Sequence, residues 1–266
     1  MSLKAMIMFI NFTSKLRSNF RSSVSNLSRV RFLQSYTTMN LETNQSLHRR
    51  PCWFYNLPGC YSYQIIRNWQ LQLRQERMEP CGENLPDVLL MLEHQPVYTL
   101  GTAANEEFIK FDVKHPPCEI YRIERGGEIT FHGPGQVIFY PILNLRFHKK
   151  DLRWYLRSLE QVVIEALKTY RLEAYRVKGL TGVWLDEKKI AAIGIAASKW
   201  VTMHGVALNV HNDLEPFRKI VPCGIHDREV GRLVDYVPNI DMQHLRTVLA
   251  ECFADMFQLS LIPYEE

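Results

Sequence analysis

The stretch from Arg125 to Gln136 carries more hydrogen-bonding side chains than a simple turn needs. Arg125 offers a partner for an anion. Thr130, His132 and Gln136 add a hydroxyl, an imidazole and an amide. Glycines at positions 126, 127, 133 and 135 let the backbone turn and approach a ligand closely. Because strand-like residues flank the stretch, we interpret it as a binding loop between two strands. The alternative is a tight hairpin whose glycines serve only for turning.

Cys223 is a second candidate for chemistry, because Pro222 and Gly224 bracket it and would hold its thiol on a rigid, exposed turn. A thiol in such a position can act as a nucleophile, whereas most cysteines are buried and structural. His226 is its nearest companion with a metal-binding side chain. No further ligands follow at suitable spacing, so we predict no metal site. The other five cysteines form no Cys-x-x-Cys pair, and we interpret them as ordinary thiols in a reducing compartment.

Three stretches have the spacing of amphipathic helices that could support these residues. The first covers residues 61–78, where Ile66, Trp69 and Leu73 share a face and Pro80 ends the run. The second follows Asp151, which we interpret as an N-cap. Its apolar stripe consists of Leu152, Leu156, Leu159 and Val163. The third stripe, near the C-terminus, consists of Leu245, Leu249, Cys252 and Met256. We therefore expect Cys252 to be a packing residue.

Strand patterns alternate with these helices. The predicted strands cover residues 88–92, 97–100, 137–145, 182–185, 189–195 and 200–210. Pro141 predicts an edge strand or a bulge, since proline cannot donate to a central ladder. The strands at 182–185 and 189–195 form a predicted hairpin, in which period-two alternation puts Lys188 and Lys189 on opposite faces. The elements show no regular βαβ rhythm, so we predict an α/β fold, a mixed sheet with flanking helices.

Four segments together resemble one known family. They are residues 125–136, residues 182–194, residues 203–210 and residues 222–225. In this order they resemble the octanoyltransferases of lipoate synthesis, the LipB-type lipoyl(octanoyl) transferases. The resemblance extends from about Tyr55 to Leu233. It implies the catalytic fold shared with biotin protein ligases and lipoate ligases.

The resemblance also implies an activity and its partners. In that family an octanoyl group moves from octanoyl-acyl carrier protein to a specific lysine of a lipoyl domain, through a cysteine thioester. The implied acceptors are the lipoyl domains of 2-oxoacid dehydrogenase E2 subunits and the glycine cleavage H protein. Exchange of one thioester for another needs no ATP, and no cofactor is implied.

The same resemblance implies the site residues. The nucleophile is the cysteine between Pro222 and Gly224, hence Cys223, and its partner is the lysine before Ile190, hence Lys189. The implied substrate contacts are Arg125, Gly126, Gly127, Glu128, Ile129, Thr130, Phe131, His132, Ala192, Ile193, Gly194, Gly205, Val206 and Ala207. For His204 two roles stay open, one in orienting the residues that contact the substrate and one that is purely structural.

These residue types suit the implied chemistry. An adjacent lysine ammonium would lower the pKa of the Cys223 thiol, which favours the nucleophilic thiolate. Lys189 could then take a proton from the incoming lysine amine. Ala196 and Ala197 stand where relatives often carry an arginine and a bulky aliphatic residue, which puts a carrier contact there in doubt.

The first 41 residues have a different composition from the rest. They contain no acidic residue and eight serines, which is typical of an organelle transit peptide. We therefore predict a transit peptide and linker over residues 1–45 and a catalytic domain over residues 46–266. Residues 101–103, 151–159 and 198–200 resemble plastid and cyanobacterial members of the family more than mitochondrial ones, which favours the plastid (chloroplast stroma) over the mitochondrion. No stretch is long and apolar enough to cross a membrane.

Charge follows the same division. Residues 1–41, here called the leader, contribute six positive charges. The other residues include 26 basic and 28 acidic ones, a net charge of −2, whereas the whole chain has a net charge of +4. The folded part thus gives no argument for nucleic-acid binding.

Two other functions compete with octanoyl transfer. An ATP-dependent lipoate or biotin ligase would share the fold but use an adenylate, so it would not need Cys223. A non-catalytic acyl-carrier or lipoyl-domain binding protein would need neither Cys223 nor Lys189. A thioesterase is the remaining enzymatic alternative, with water replacing the acceptor amine.

Overall fold

Strands dominate the part of the chain that the computed structural model describes, residues 49–221 and 229–263. Its strands are β1 (Arg50–Tyr61), β2 (Asp87–His94), β3 (Val97–Leu100), β4 (Glu119–Arg122), β5 (Ile129–His132), β6 (Gln136–Ile142), β7 (Val183–Leu185), β8 (Lys188–Ser198), β9 (Val201–Asn209) and β10 (Leu259–Pro263). Its α-helices are α1 (Tyr63–Met78), α2 (Leu152–Lys168), α3 (Glu215–Arg218) and α4 (Met242–Phe257). The transit-peptide prediction for residues 1–45 lies outside the described residues, and so does Cys223.

Two sheets form from these strands. The larger has the order β10-β1-β2-β6-β9-β8-β7, and the smaller has the order β4-β3-β5. β1 is parallel to β10 and to β2, whereas the other neighbours in the larger sheet are antiparallel. The predicted mixed sheet is therefore confirmed.

Helices cover both faces of the larger sheet. On one face, Ile66 and Leu73 of α1 pack with Leu90 of β2 and Ile138 of β6. On the other face, α2 and α4 form a second core with the alternate strand residues, such as Leu89 of β2. Because β2 is buried on both faces, its sequence is a continuous apolar run and does not alternate.

The first two predicted helices are confirmed, but the buried face of the second differs from the predicted one. The carboxylate of Asp151 accepts a hydrogen bond from the N–H of Trp154 at 2.9 Å, which caps α2 as expected. Leu152, however, is exposed. The buried face of α2 is formed by Tyr155, Leu159, Val162, Val163, Ala166 and Leu167.

The predicted C-terminal helix is confirmed as α4, and its buried face also differs in part from the predicted apolar stripe. Leu245 and Leu249 are buried as predicted, and Phe253 and Phe257 continue the buried face. Cys252 and Met256 are partly buried at the margin of the same core. Cys252 is thus a packing residue, as expected.

Pro141 does not mark an edge strand. β6 lies between β2 and β9, so that part of the prediction is wrong. Pro141 pairs with Leu89 of β2, but the pairing of β6 with β9 runs only from Gln136 to Phe139. The missing N–H therefore falls where the β9 ladder has already ended, and the Pro141 carbonyl accepts a hydrogen bond from the Thr202 hydroxyl at 3.0 Å.

The stretch from Arg125 to Gln136 is not a single loop. Residues 129–132 form β5, so the glycines lie in two separate turns at its ends. The hairpin of β7 and β8 forms as predicted, and positive φ angles at Asp186 and Glu187 (42° and 64°) make its turn. No helix in the described ranges is long and apolar enough to span a membrane.

Candidate active site

A cavity of about 220 Å³ lies between the two sheets on the α1 side. All the predicted substrate contacts except Ile129 and Phe131 line it, and so does Lys189. The lining residues that sequence reasoning did not assign are Tyr63, Ile123, Ile138, Tyr140, Gly179, Leu180 and Thr181. His204, whose role was left open, also lines it.

Lys189 reaches this cavity from the start of β8. The preceding turn puts Lys188 on the surface, where its ammonium lies 3.2 Å from Glu229. Lys189 itself is only 8% exposed. Its ammonium nitrogen lies 5.8 Å from the centre of the Trp184 ring, a distance at which the ring face attracts a cation.

Gly182 makes room for the Lys189 side chain. Its φ of +134° strains any residue with a side chain. A Cβ atom there would also lie 2.5 Å from Cε of Lys189 and 2.6 Å from the Ala191 carbonyl oxygen. The fully buried carboxylate of Glu160 accepts a hydrogen bond from the Gly182 N–H at 3.0 Å. Helix α2 therefore fixes the backbone that passes over Lys189.

Small residues on β8 and β9 form one wall of the cavity. Ala192 lies opposite Ala207, and Gly194 lies opposite Gly205. A Cβ atom at position 194 would come within 2.8 Å of Cδ of Arg125, so glycine lets the Arg125 stem lie against the strand. The wall is thus mainly backbone and methyl groups, which suits an alkyl chain.

Arg125 holds the neighbouring loop in place. Its guanidinium donates hydrogen bonds to the carbonyl and hydroxyl oxygens of Thr99, at 2.8 and 3.0 Å, and to the Gly126 carbonyl at 3.0 Å. The Gly126 N–H in turn donates to the Ile195 carbonyl of β8 at 3.0 Å. The Arg125 side chain thus holds the loop to the smaller sheet, and the Gly126 backbone holds the loop to the larger sheet.

Buried polar side chains connect the cavity wall to the backbone near Lys189. Nδ1 of His132 lies 2.8 Å from Oε1 of Gln136, and the Gln136 amide nitrogen donates to Oδ1 of Asn209 at 2.7 Å. The Asn209 amide donates to the Gly231 carbonyl at 3.0 Å, and the Gly231 N–H donates to the Lys189 carbonyl at 3.0 Å. Through this series of bonds, side chains of β5, β6 and β9 help to hold the backbone of Lys189 in position.

The backbone carbonyls of Gly231 and Phe131 can only accept, so they determine which atoms donate in these side-chain hydrogen bonds. The Gln136 amide nitrogen also donates to the Phe131 carbonyl at 3.3 Å, so Oε1 of Gln136 must accept from Nδ1–H of His132. Burial lowers the pKa of His132 to about 3, which keeps the imidazole neutral. Its Nε2 atom, 3.3 Å from the Thr99 hydroxyl, is then an acceptor.

Comparison with known proteins identifies the family. The lipoyl protein ligase A/B catalytic domain family matches residues 67–254. An octanoyltransferase of Nostoc punctiforme is 49% identical over 215 residues, which are 81% of this chain and 92% of that protein. The chain belongs to the octanoyltransferase family. It is therefore an acyltransferase, and the predicted family is confirmed.

Two further matches add to this assignment. A chloroplastic octanoyltransferase of Arabidopsis thaliana is 42% identical over 253 residues, covering 90% of this chain and 89% of that protein. The solved structure of a bipartite lipoate protein ligase of Thermoplasma acidophilum, from a study of that ligase and its E2 lipoyl domain, is also similar. Its TM-score to this chain is 0.59, and the two sequences are 19% identical. It covers 82% of this chain and 89% of the solved chain. At that identity it shows a shared fold, and the predicted lipoate ligase-like fold is confirmed.

Two of the residues that the family resemblance implied turn away from the cavity. Ile129 and Phe131 are buried in a separate core with Tyr98, Phe217 and Ile220. Their neighbours Thr130 and His132 line the cavity because successive side chains of a strand point to opposite faces. Sequence reasoning treated the stretch as a loop and so did not apply this alternation.

Backbone hydrogen bonds hold the chain on both sides of residues 222–228, and on the C-terminal side they join it to Lys189. Before them, the Val221 N–H donates to the Phe108 carbonyl at 2.8 Å. After them, the Glu229 carbonyl accepts from the Lys189 N–H at 2.9 Å, and Val230 forms a parallel bridge with Lys189. Cys223 itself lies outside the described residues.

Four of the five described cysteines lack the lowered pKa of an activated thiol. Cys52, Cys60, Cys81, Cys118 and Cys252 are free. Burial raises the pKa of Cys52, Cys60, Cys118 and Cys252 above the ordinary thiol value. Within residues 49–221 and 229–263, no group of three or more His, Cys, Asp or Glu side chains could hold a metal ion.

Proposed function

We propose that this acyltransferase moves an octanoyl group from octanoyl-acyl carrier protein to a specific lysine of lipoyl domains, through a thioester on Cys223. The observation that carries the proposal is the position of Lys189. Its side chain lines the same cavity as the small residues of β8 and β9, which form one wall of it. The amine of Lys189 provides a proton-transfer group, and the wall provides a surface for an alkyl chain.

In the first half of the reaction, the Cys223 thiol passes its proton to the Lys189 amine. The resulting thiolate attacks the carbonyl carbon of the carrier thioester. A new carbon–sulfur bond forms, the bond to the carrier sulfur breaks, and the Lys189 ammonium returns the proton to the departing carrier thiolate. One thioester replaces another of similar energy, so the step needs no nucleotide.

In the second half, the acceptor lysine amine attacks the Cys223 thioester. Lys189, now neutral, takes a proton from the attacking amine and gives it to the departing Cys223 thiolate. The products are an amide and the free thiol, and no oxidation or reduction occurs. The Trp184 ring beside the Lys189 ammonium and the Gly182 backbone above it would keep this amine in place through both steps.

The acceptors that we propose are lipoyl domains of 2-oxoacid dehydrogenase E2 subunits and the glycine cleavage H protein. The proposed compartment is the plastid, which is supported by the similarity to a chloroplastic relative. Residues 1–45 would act as the transit peptide and linker, and residues 46–266 as the catalytic domain.

The main alternative is an ATP-dependent ligase, because lipoate ligases share this fold. The two functions separate by their nucleotide requirement. Octanoyl transfer from the carrier protein to a lipoyl domain should proceed at the same rate with and without ATP and Mg²⁺. Transfer that occurs only with free octanoic acid, ATP and Mg²⁺ would assign the protein to the ligases. Binding of carrier protein with no transfer in either condition would favour the non-catalytic binder.

A further inference from the structure

The chain that follows Cys223 rejoins the described part of the fold beside Lys189. The pairing of β9 with β8 reaches as far as Ala191. Beyond that point residues 229–231 lie along β8, and Val230 forms a parallel bridge with Lys189. The contacts that hold residues 229–231 therefore determine where the segment with Cys223 meets the backbone of Lys189.

Gly231 lies close against β8 in this short segment. A Cβ atom there would be 2.9 Å from Cβ of Lys188 and 3.4 Å from Cγ2 of Ile190. The Gly231 N–H donates to the Lys189 carbonyl at 3.0 Å, and the Gly231 carbonyl accepts from the Asn209 amide at 3.0 Å. Asn209 is the last residue of β9, so its side chain connects that strand to the segment beside Lys189.

The Asn209 amide donates to Gly231 because a second amide orients it. The Asn209 oxygen accepts from the Gln136 amide nitrogen at 2.7 Å, which directs the Asn209 nitrogen to Gly231. Gln136 is oriented in turn, since its nitrogen also donates to the Phe131 carbonyl and its oxygen accepts from His132. The direction of each bond thus depends on the bond before it.

This series of hydrogen bonds begins at a residue that lines the cavity. The Arg125 guanidinium donates to the Thr99 hydroxyl at 3.0 Å, which leaves the hydroxyl proton to be donated to Nε2 of His132 at 3.3 Å. Thr99 is fully buried, and Gln136 and Asn209 are 2% and 4% exposed. Burial removes competition from water and strengthens each bond, so the series is a rigid connection between the cavity wall and the backbone of the site.

We propose that Thr99, Gln136 and Asn209 are positioning residues for the pair formed by Cys223 and Lys189. The proposal rests on the proposed function, because that function places the reacting thiol on Cys223. Among the described residues, these three lie outside the set that lines the cavity, so they act through the backbone and not on the substrate. By holding the chain after Cys223 against Lys189, they keep the thiol near the ammonium that stabilises its thiolate.

Asn209→Leu tests the proposal, because leucine keeps the branched shape of the side chain and removes both hydrogen bonds. Asn144→Leu is the matched control. Asn144 is also buried, and its amide also donates to a backbone carbonyl, that of Glu83 at 3.2 Å, but it lies two residues beyond the other end of β6. Peptide mass analysis measures the rate at which iodoacetamide alkylates Cys223 as the pH is varied. The midpoint of this profile gives the pKa of the thiol.

In the unsubstituted protein we expect a midpoint below the ordinary thiol value of about 8.5. Asn209→Leu should raise the midpoint by about one pH unit, so that alkylation at pH 7 becomes about tenfold slower. Asn144→Leu should leave the midpoint unchanged. Thr99→Val should raise it by a smaller amount, whereas Thr99→Ser, which keeps the hydroxyl, should not raise it.

Circular dichroism shows whether each variant is folded, and the two Thr99 variants decide the outcome if Asn209→Leu is not. A folded Asn209→Leu protein with an unchanged midpoint would overturn the proposal and leave the proposed function intact. An equal shift in Asn144→Leu would also overturn it, because the effect would then be general destabilisation. A midpoint of about 8.5 in the unsubstituted protein would contradict the pairing of Cys223 with Lys189, and the positioning role would fail with it.

Discussion

Adjacent lysines at the β7–β8 turn have opposite environments. Lys188 is exposed and pairs with Glu229, whereas Lys189 points into the cavity beside Trp184. The alternation of a strand produces this difference, and it could be predicted from the sequence. It also supplies a natural control for any experiment on Lys189.

Lys189→Met should reduce both formation of the Cys223 thioester and transfer to the acceptor, by about 100-fold or more, because a positioned acid–base group contributes on that scale. Lys189→Arg keeps a positive charge but cannot accept a proton at neutral pH, so thioester formation should survive better than transfer. Single-turnover rates of the two half-reactions measure each effect. Lys188→Met should keep the rates of the unsubstituted protein. Normal rates in Lys189→Met would remove Lys189 from the mechanism.

At the scale of elements, three strands each bring one buried histidine to the α1 side of the larger sheet. Burial is the main cause of their low pKa values, about 4 for His94 and about 3 for His132 and His204. His94 makes hydrogen bonds through both ring nitrogens, to the Tyr61 carbonyl at 3.0 Å and to the Tyr140 hydroxyl at 2.9 Å. In the second bond the neutral ring accepts from the hydroxyl, so protonation of Nε2 would leave the Tyr140 hydroxyl proton without this acceptor.

These histidines should make the fold sensitive to mild acid. Each has a native pKa below the unfolded value of about 6.5, so the unfolded state binds more protons as the pH falls. This contribution to stability is therefore complete above about pH 6.5 and declines as the pH falls from about 6.5 to about 3. Each histidine contributes up to about 1.4 kcal/mol per pH unit.

Urea unfolding at pH 7.5, 6.0 and 5.2 would measure this slope, because these values lie above the range in which ordinary carboxylates titrate. His94→Gln can keep both hydrogen bonds of His94 through its amide, and it should make the slope shallower. A free energy of unfolding that does not change between pH 7.5 and pH 5.2 would contradict the buried neutral histidines.

Local patterns predicted the elements that depend on local contacts. The cap at Asp151 and the hairpin turn at Asp186 and Glu187 are examples, because their hydrogen bonds and dihedral angles are decided within a few residues. β1 was not predicted, since its strand character comes from pairing with β10, about 200 residues later. Pro141 was misplaced for a related reason, because the end of the β6–β9 ladder depends on β9.

At the scale of the whole molecule, the cavity combines distant parts of the chain. The motif residues on β8 and β9 could be predicted, since the family resemblance covers them. Tyr63 and residues 179–181 carry no motif, and only the folded chain brings them to the same cavity. The leader was predicted from composition alone, and that prediction needs its own experiment.

Removal of residues 1–45 should leave octanoyl transfer unchanged, because the leader has its own charge balance and shows no core-forming periodicity. A fluorescent protein fused to residues 1–45 should enter the plastid. Diffuse cytosolic fluorescence would contradict the transit-peptide prediction. Mitochondrial fluorescence would reverse the choice of organelle, and loss of transfer on truncation would give the leader a role in the fold.

The central claim is that the acyl group passes through Cys223. Intact-mass analysis after mixing the protein with octanoyl-acyl carrier protein, in the absence of acceptor, tests it most directly. The account predicts that one octanoyl group accumulates, that peptide mapping places it on Cys223, and that Cys223→Ser shows no stable adduct. An octanoyl group on another residue, or transfer by Cys223→Ser at the rate of the unsubstituted protein, would contradict it.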